Sequence, residues 1–419
     1  MRLPLRPAYI TPFLRPMPRF LPATVLAFGL AFVPGLPAAT PAAPDHSQVP
    51  GVVIAHSPKS TRIFLGSAGI VALPDGTYLA KHDEFGPGST EKTNAITRVY
   101  RSVDRGRSWE PVSRIEGSFW ANLFYHRGAV YLMGTTAGHR HGHAVIRRST
   151  DGGRTWTTPK DENTGLLFPD ISYHTAPMPV VVHNGRIWRA MEDEKGGDRW
   201  GRMFRAFMLS APVDADLLKA SSWTASNALP HDPSYLNGKF GGWLEGNAVI
   251  DPEGNIVNVL RTDYRDVPEK ASIIRISADG KVATFDPARD FVDFPGGCKK
   301  FVIRRDPRDG RYWTISNAIL PAHVGGNVER IRNAAVLMSS PDLRTWTPHH
   351  VVLYHANTAS HGFQYVDWEF EGEDLILVAR TAFNDGIGGA DNQHNSNYLT
   401  FHRLEQFRRH AASTVEVAR

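Results

Sequence analysis

Ser102-Val-Asp-Arg-Gly-Arg-Ser-Trp109 and Ser149-Thr-Asp-Gly-Gly-Arg-Thr-Trp156 share the pattern S-x-D-x-G-x-[ST]-W and lie 47 residues apart. That separation is the length of one blade in a β-propeller, a ring of four-stranded sheets. In each copy an aspartate, Asp104 or Asp151, is placed to accept hydrogen bonds from its own turn. The glycine, Gly106 or Gly153, supplies the positive φ that such a turn needs. Trp109 and Trp156 then pack between neighbouring sheets. Two copies in register at blade spacing predict an all-β propeller.

Working outward, apolar alternation surrounds a series of short turns, the signature of hairpins. The turns are Pro74-Asp-Gly76, His126-Arg-Gly128, His183-Asn-Gly185, Pro252-Glu-Gly254, Arg308-Asp-Gly310 and Glu371-Gly-Glu373. Third strands follow most of them, for example Ile96–Tyr100, Ala144–Arg147 and Ala334–Met338. Outer strands are expected to start at or near Trp109, Trp156, Trp223 and Trp346. Ser340-Pro-Asp-Leu-Arg-Thr-Trp346 reads as a degenerate copy of the opening motif, one residue short. Ser221-Ser-Trp223 is a weaker one. The count is six four-stranded antiparallel blades, with seven as the alternative. The last unit ends at Asn397-Tyr-Leu-Thr-Phe-His402 without an outer strand, and Gly51-Val-Val-Ile-Ala55 is available to supply it. Closing the ring in this way removes exposed sheet edges.

Residues 1–39 read as an export signal: Arg2, Arg6, Arg15 and Arg19 precede an apolar run from Phe20 to Leu36, and small residues follow. Residues 40–50 form a Pro/Ala-rich spacer, 51–408 a single propeller domain and 409–419 a C-terminal tail. The chain carries a formal net charge of +5, but four of its basic residues lie in the signal, which contains no acid. The mature charge is therefore about +1, which argues against nucleic acid or a membrane surface as partner. The expected location is the periplasm or the medium. Cys298 is the only cysteine, so no intrachain disulfide forms and the fold relies on its core. Nothing near Cys298 resembles an activating pair, so it reads as a buried, inert thiol.

The opening motif is the Asp-box, and with it the chain resembles the sialidase-like (BNR-repeat) propellers. In that superfamily function gathers around the axis, where the inner strands begin. The resemblance implies a carboxylate-binding arginine on the first inner strand, but that position falls on Gly66 or Ser67. Other parts match. Trp243-Leu-Glu-Gly-Asn247 followed by Asn258-Val-Leu-Arg261 resembles the blade that supplies a Glu and an Arg, here Glu245 and Arg261. Tyr365 in His361-Gly-Phe-Gln-Tyr365 resembles the nucleophilic tyrosine. The loop that holds the acid/base in sialidases begins here with His82-Asp83. The stretch His82-Asp-Glu-Phe-Gly86 also resembles propeller enzymes acting on L-rhamnose linked to glucuronate, in which a histidine on this strand is the key group.

The residues themselves suit such chemistry. Elimination from a uronate needs a base at C5, a cation on the carboxylate and an acid for the leaving oxygen. Histidine serves as base or acid near neutral pH. His82 and His174 are the histidine candidates, and Glu245 and Tyr365 complete the expected catalytic set. Lys299, Lys300, Arg261 and Arg380 are candidates to neutralise a carboxylate. Asp83, His361 and Gln364 are further candidates for substrate contact. Trp120 and Trp243 offer platforms for a sugar ring. No cofactor and no metal is expected. Asp385-Gly-Ile-Gly-Gly-Ala-Asp-Asn-Gln-His394 has the oxygen donors for Ca²⁺ but no fixed ligand spacing, and reads better as a loop over the pocket. His139-Arg-His-Gly-His143 reads as a solvated or sugar-contacting loop rather than a metal site.

The expected function is an exported, exo-acting enzyme, a polysaccharide lyase or a glycoside hydrolase. It removes a terminal sugar, L-rhamnose on glucuronate by the resemblance, from an acidic oligo- or polysaccharide. An exo-sialidase and a non-catalytic glycan-binding propeller are the alternatives.

Overall fold

Period-2 alternation that is apolar on both faces requires each strand to be covered on two sides, and a ring of radially stacked sheets supplies this. A computed structural model describes residues 43–418. Residues 1–42, on which the expected export signal and the first residues of the expected spacer fall, lie outside them. The described residues form six antiparallel blades; five are built from strands successive in the chain, and the sixth takes its outer strand from the N-terminal side. Blade I runs Phe64–Ala72, Tyr78–Phe85, Ile96–Ser102 and Glu110–Glu116. The innermost strands of blades II, IV, V and VI are Phe119–His126, Trp243–Ile250, Val302–Arg305 and Gly362–Glu371. In blade III the inner strand is split into Tyr173–His174 and Val181–His183. Pro177 and Pro179 lie in the gap, where they have no N–H to give a ladder. All six expected turns join a first strand to a second.

Blade VI is closed as the sequence suggests. Its last strand from the C-terminal side, Tyr398–Leu404, pairs with Val52–His56, which brings Val52 opposite Phe401 and His56 opposite Tyr398. Buried apolar side chains then form one core cluster between each neighbouring pair of blades.

The Asp-boxes behave as their residues require. Asp104 Oδ1 accepts from Ser108 N at 2.9 Å, Ser108 Oγ donates to Asp104 Oδ2 at 2.6 Å, and Gly106 N donates to Ser102 Oγ at 2.8 Å. Asp151 repeats this with Thr155 at 3.0 and 2.6 Å. Gly106 has φ +88°, and a Cβ there would collide with the Phe401 ring. Trp109 packs against the blade VI–I core and Trp156 against the blade I–II core. Two details differ from the reading above. The outer strand of blade II begins at Leu166 rather than near Trp156, because residues 157–165 make a separate loop first. A further box, Ser277-Ala-Asp279, was not legible for want of its tryptophan; Ser277 Oγ donates to Asp279 Oδ1 at 2.6 Å.

Up-and-down strand order fixes which residues can meet. The hairpin turns and Asp-boxes fall on one face of the ring. The starts of the inner strands and the connections between second and third strands fall on the other.

Candidate active site

That second face carries an axial pocket of about 700 Å³ to which every blade but the fifth's inner strand contributes directly. Inner-strand starts supply Gly66, Ser67, Phe119, Trp120, His174, Glu245 and Tyr365. Connections between second and third strands supply Glu91, His139, Trp200, Arg265, Glu329 and His394 among others. A recurring bulge shapes the wall. The ladder shifts between Gly66 and Gly69, Phe119 and Asn122, Trp243 and Gly246, and Gln364 and Asp367. In three of these the first extra residue takes a left-handed backbone: Ser67, Trp120 and Tyr365, with φ of 49°, 49° and 52°. Such strain at non-glycine residues is sustained where surrounding structure over-determines it, and here it re-aims side chains into the pocket.

The floor is a linked trio. Glu245 accepts from Arg261 Nη1 at 3.1 and 3.0 Å, and Tyr365 Oη donates to Glu245 Oε1 at 3.2 Å. Arg261 Nη1 also lies 3.4 Å from Tyr365 Oη. Burial is the largest influence on the Glu245 carboxyl and acts to raise it, but the Arg261 charge, the neighbouring His174 and hydrogen bonds from the Glu245 backbone and Arg261 together outweigh it and hold the group below its ordinary value. Arg380 and Arg332 stand over the Tyr365 ring, 5.0 and 5.8 Å from its centre. Gln364 is not in the wall; its Oε1 accepts from Arg332 Nη1 at 2.7 Å and so positions that arginine.

A second group faces it. His174 Nδ1 is 3.1 Å from Glu192 Oε2, while its Nε2 has no hydrogen-bond partner among the described residues. The imidazole stacks on Phe204 at 4.3 Å and meets Trp120 edge-on at 4.8 Å. Glu192 is fully buried, and its second oxygen has no partner among the described residues. Burial raises its carboxyl above the ordinary value. Glu91, from the blade I loop, accepts from Gly86 N at 3.3 Å and is likewise raised by burial. Arg380 also crosses the Phe85 ring at 4.4 Å and is tied to the His394 carbonyl. Its Nε is buried with no partner among the described residues, and desolvation lowers the guanidinium to about 9.

Of the residues singled out from sequence, His174, Glu245, Tyr365, Trp120 and Arg380 line the pocket, and Arg261 lies directly behind it. Others do not reach it. His82 shares the face of its strand with Tyr78 and Ala80, which points into the blade VI–I interface. It bonds Tyr100 Oη at 3.1 Å, and burial lowers it to about 3. Asp83 faces the opposite way, toward blade II. It pairs with Lys81 at 2.9 Å and accepts from Trp120 N at 2.6 Å, so it holds the bulge that presents Trp120. Lys299 is buried against Glu269 at 2.5 Å. Lys300 lies below the floor and donates to the Val366 carbonyl at 2.9 Å; burial lowers it to about 8. His361 stacks on His355 at 3.6 Å outside the pocket. Trp243 is core, 1% exposed. Burial pushes the Cys298 thiol up to about 12, in keeping with an inert group.

Two clusters resolve differently. Of the histidines at 139, 141 and 143, only His139 lines the pocket, bonded to Glu194 at 3.2 Å. The loop from Asp385 to His394 contributes Asn392 and His394 to the wall, while Asp385 accepts from its own loop at Ile387 N and Gly389 N. Among the described residues no group of His, Cys, Asp and Glu has metal-binding geometry.

No protein-family model and no curated protein matches this chain. Solved structures do. An α-L-arabinanase of Penicillium chrysogenum, complexed with arabinobiose, is 14% identical, with a TM-score of 0.53 over 85% of this chain and 98% of the other. The α-L-arabinofuranosidase of Fusarium graminearum with arabinobiose is 14% identical, with a TM-score of 0.54 over 84% and 97%. A Hadza microbial sialidase is 12% identical, with a TM-score of 0.59 over 85% and 69%. These likenesses show a shared six-bladed fold, within which sialidase-like propellers fall.

Proposed function

We propose that this chain is an exported, exo-acting carbohydrate-active enzyme that removes a terminal sugar from an acidic glycan, with Tyr365 as nucleophile. The observation that carries the reading is the Tyr365–Glu245–Arg261 trio at the floor of the axial pocket. Tyrosine is a weak nucleophile until a base takes its proton, and Glu245 is in hydrogen-bond reach. The likeness to propellers solved with sugars bound adds support.

In this reading Tyr365 Oη attacks the anomeric carbon while its proton passes to Glu245. The glycosidic C–O bond breaks, and Glu91, protonated more readily because it is buried, gives the leaving oxygen its proton. Water, deprotonated by Glu91, then splits the tyrosyl glycoside, and Tyr365 recovers its proton from Glu245. A neutral nucleophile suits a substrate that carries its own carboxylate. Arg380, whose side chain lines the pocket, is the group to bind that carboxylate.

His174 favours a second reading, β-elimination. Oriented by Glu192 and with Nε2 free, it can take the C5 proton of a glucuronate bearing L-rhamnose at C4. The C4–O bond then breaks and Tyr365 protonates the leaving sugar. The sialidase alternative shares Glu245, Arg261 and Tyr365, but the first inner strand offers Gly66 and Ser67 where an arginine belongs. The test is product analysis on rhamnose–glucuronate-capped glycans, other uronate glycosides and sialosides. Released sugar without a new C4–C5 double bond supports hydrolysis, and its ultraviolet absorbance supports elimination. No release from any of them, at any pH, overturns the enzymatic reading.

A further inference from the structure

Beside the axial pocket lies a second cleft of about 400 Å³, and the two share Trp200 and Arg265. Its walls carry four cations, Arg199, Arg202, Lys239 and Arg265, against two acids, Asp263 and Asp266. Arg265 is paired with Asp263 at 2.8 Å and Lys239 with Asp266 at 2.5 Å. Arg199 and Arg202 are exposed, and their guanidinium groups form no ion pair among the described residues. The excess of positive charge therefore rests on those two arginines.

The segment that carries them is seated rather than free. It connects two strands of blade III, and Gly201 packs on Gly241 and Gly242 at the start of blade IV. A Cβ on Gly242 would collide with the Gly201 carbonyl, so the approach requires glycine there. Trp200 is 43% exposed, an unusual state for tryptophan in a chain whose aromatics are otherwise mostly buried. Its ring stands at the boundary between the two cavities, with Phe204 edge-on behind it at 6.0 Å.

We propose that this cleft is a leaving-group subsite for an anionic sugar. The terminal residue occupies the axial pocket, the next ring lies on Trp200, and a carboxylate further along the glycan is bound by Arg199 and Arg202. An exposed aromatic with flanking guanidinium groups matches a polysaccharide with an apolar sugar face and a planar carboxylate. This assignment rests on the carbohydrate reading of the main pocket, but its test needs no turnover.

Calorimetric titration with tetragalacturonate is compared with titration of the same oligosaccharide after its carboxyls are reduced to alcohols. Wild type is expected to bind the acidic form at least about tenfold more tightly, with affinity falling as salt rises. Arg199→Ser/Arg202→Ser weakens binding of the acidic form several-fold, leaving only the smaller preference that Arg380 supplies in the axial pocket, and removes most of the salt dependence. Trp200→Ala weakens both forms together. Unchanged thermal midpoints establish that the variants fold. Equal affinity for the two forms, no binding by wild type, or unaltered binding by the double variant overturns the proposal. So does equal binding and full displacement by a single-stranded oligonucleotide, which would mark a general polyanion surface. If the main pocket turned out to be non-catalytic, glycoside turnover would fail while this binding pattern persisted.

Discussion

Glu245→Gln separates chemistry from stability at the centre of the site. The glutamine keeps the shape and one acceptor for Tyr365, but it cannot take the tyrosine's proton. Loss of a positioned base typically costs about 10²–10⁴ in rate, which corresponds to roughly 3–5 kcal/mol in the barrier. Stability should fall as well. The side chains of Glu245 and Arg261 are each 3% exposed, and breaking such a pair leaves a buried charge. Removing one partner of a buried pair costs about 3–5 kcal/mol. Here the lower end applies, because Glu329 stands 3.8 Å from Arg261 Nη2 and the Cys298 carbonyl accepts from its Nε at 2.9 Å. In a chain of this size the result is a drop in thermal midpoint of roughly 3–6 °C. Steady-state kinetics and differential scanning calorimetry read the two effects on one sample. A variant that keeps its rate within a few-fold while the midpoint falls would refute the role of Glu245 as the tyrosine's base.

Arg380→Met should raise KM for acidic substrates about 10–100-fold, while the thermal midpoint holds or rises because a buried, partly unpaired charge is gone. A large stability loss would make Arg380 structural instead. Glu91→Gln should abolish the assistance given to poor leaving groups, and it makes a pH prediction. Burial raises this carboxyl above its ordinary 4.5 in the folded state, so the unfolded chain ionises first as pH rises and the fold loses stability through that window. The variant's midpoint should therefore exceed wild type by a margin that grows from pH 4.5 upward and then levels. A margin independent of pH would contradict it. Gly106→Ala should destabilise the chain by about 2–4 kcal/mol through positive φ and collision with Phe401; denaturant melts with no loss would show that the Asp-box turn relaxes.

The parts of this architecture set by local rules were legible beforehand. Asx-type turns, two-residue hairpins and alternation depend on near neighbours, so six blades and the closing strand at Val52–His56 followed from sequence. So did Trp120, His174, Glu245 and Tyr365, because inner-strand starts face the axis by construction. His82 was misplaced by parity. It sits in the right strand, but alternate side chains there face opposite interfaces, and the bulge at Ser67 obscures which set is which. Glu91 and Trp200 lie on connections with no period, so nothing in the sequence located them, whereas the glycine-rich loop ending at His394 was legible as a cover of the pocket. Glu192 was hidden for another reason: a carboxylate inside an apolar strand shows its use only once His174 is brought opposite.

The central claim is that Tyr365 bears the glycosyl group during turnover. The direct measurement is trapping with activated 2-fluoro glycosides, rhamnosyl and uronate members included, followed by mass spectrometry of the peptides. The account predicts a stoichiometric adduct on the peptide containing Tyr365, absent in Tyr365→Phe. An adduct on another residue, or turnover that yields an unsaturated uronate with no adduct at all, would contradict it and shift the chemistry to His174.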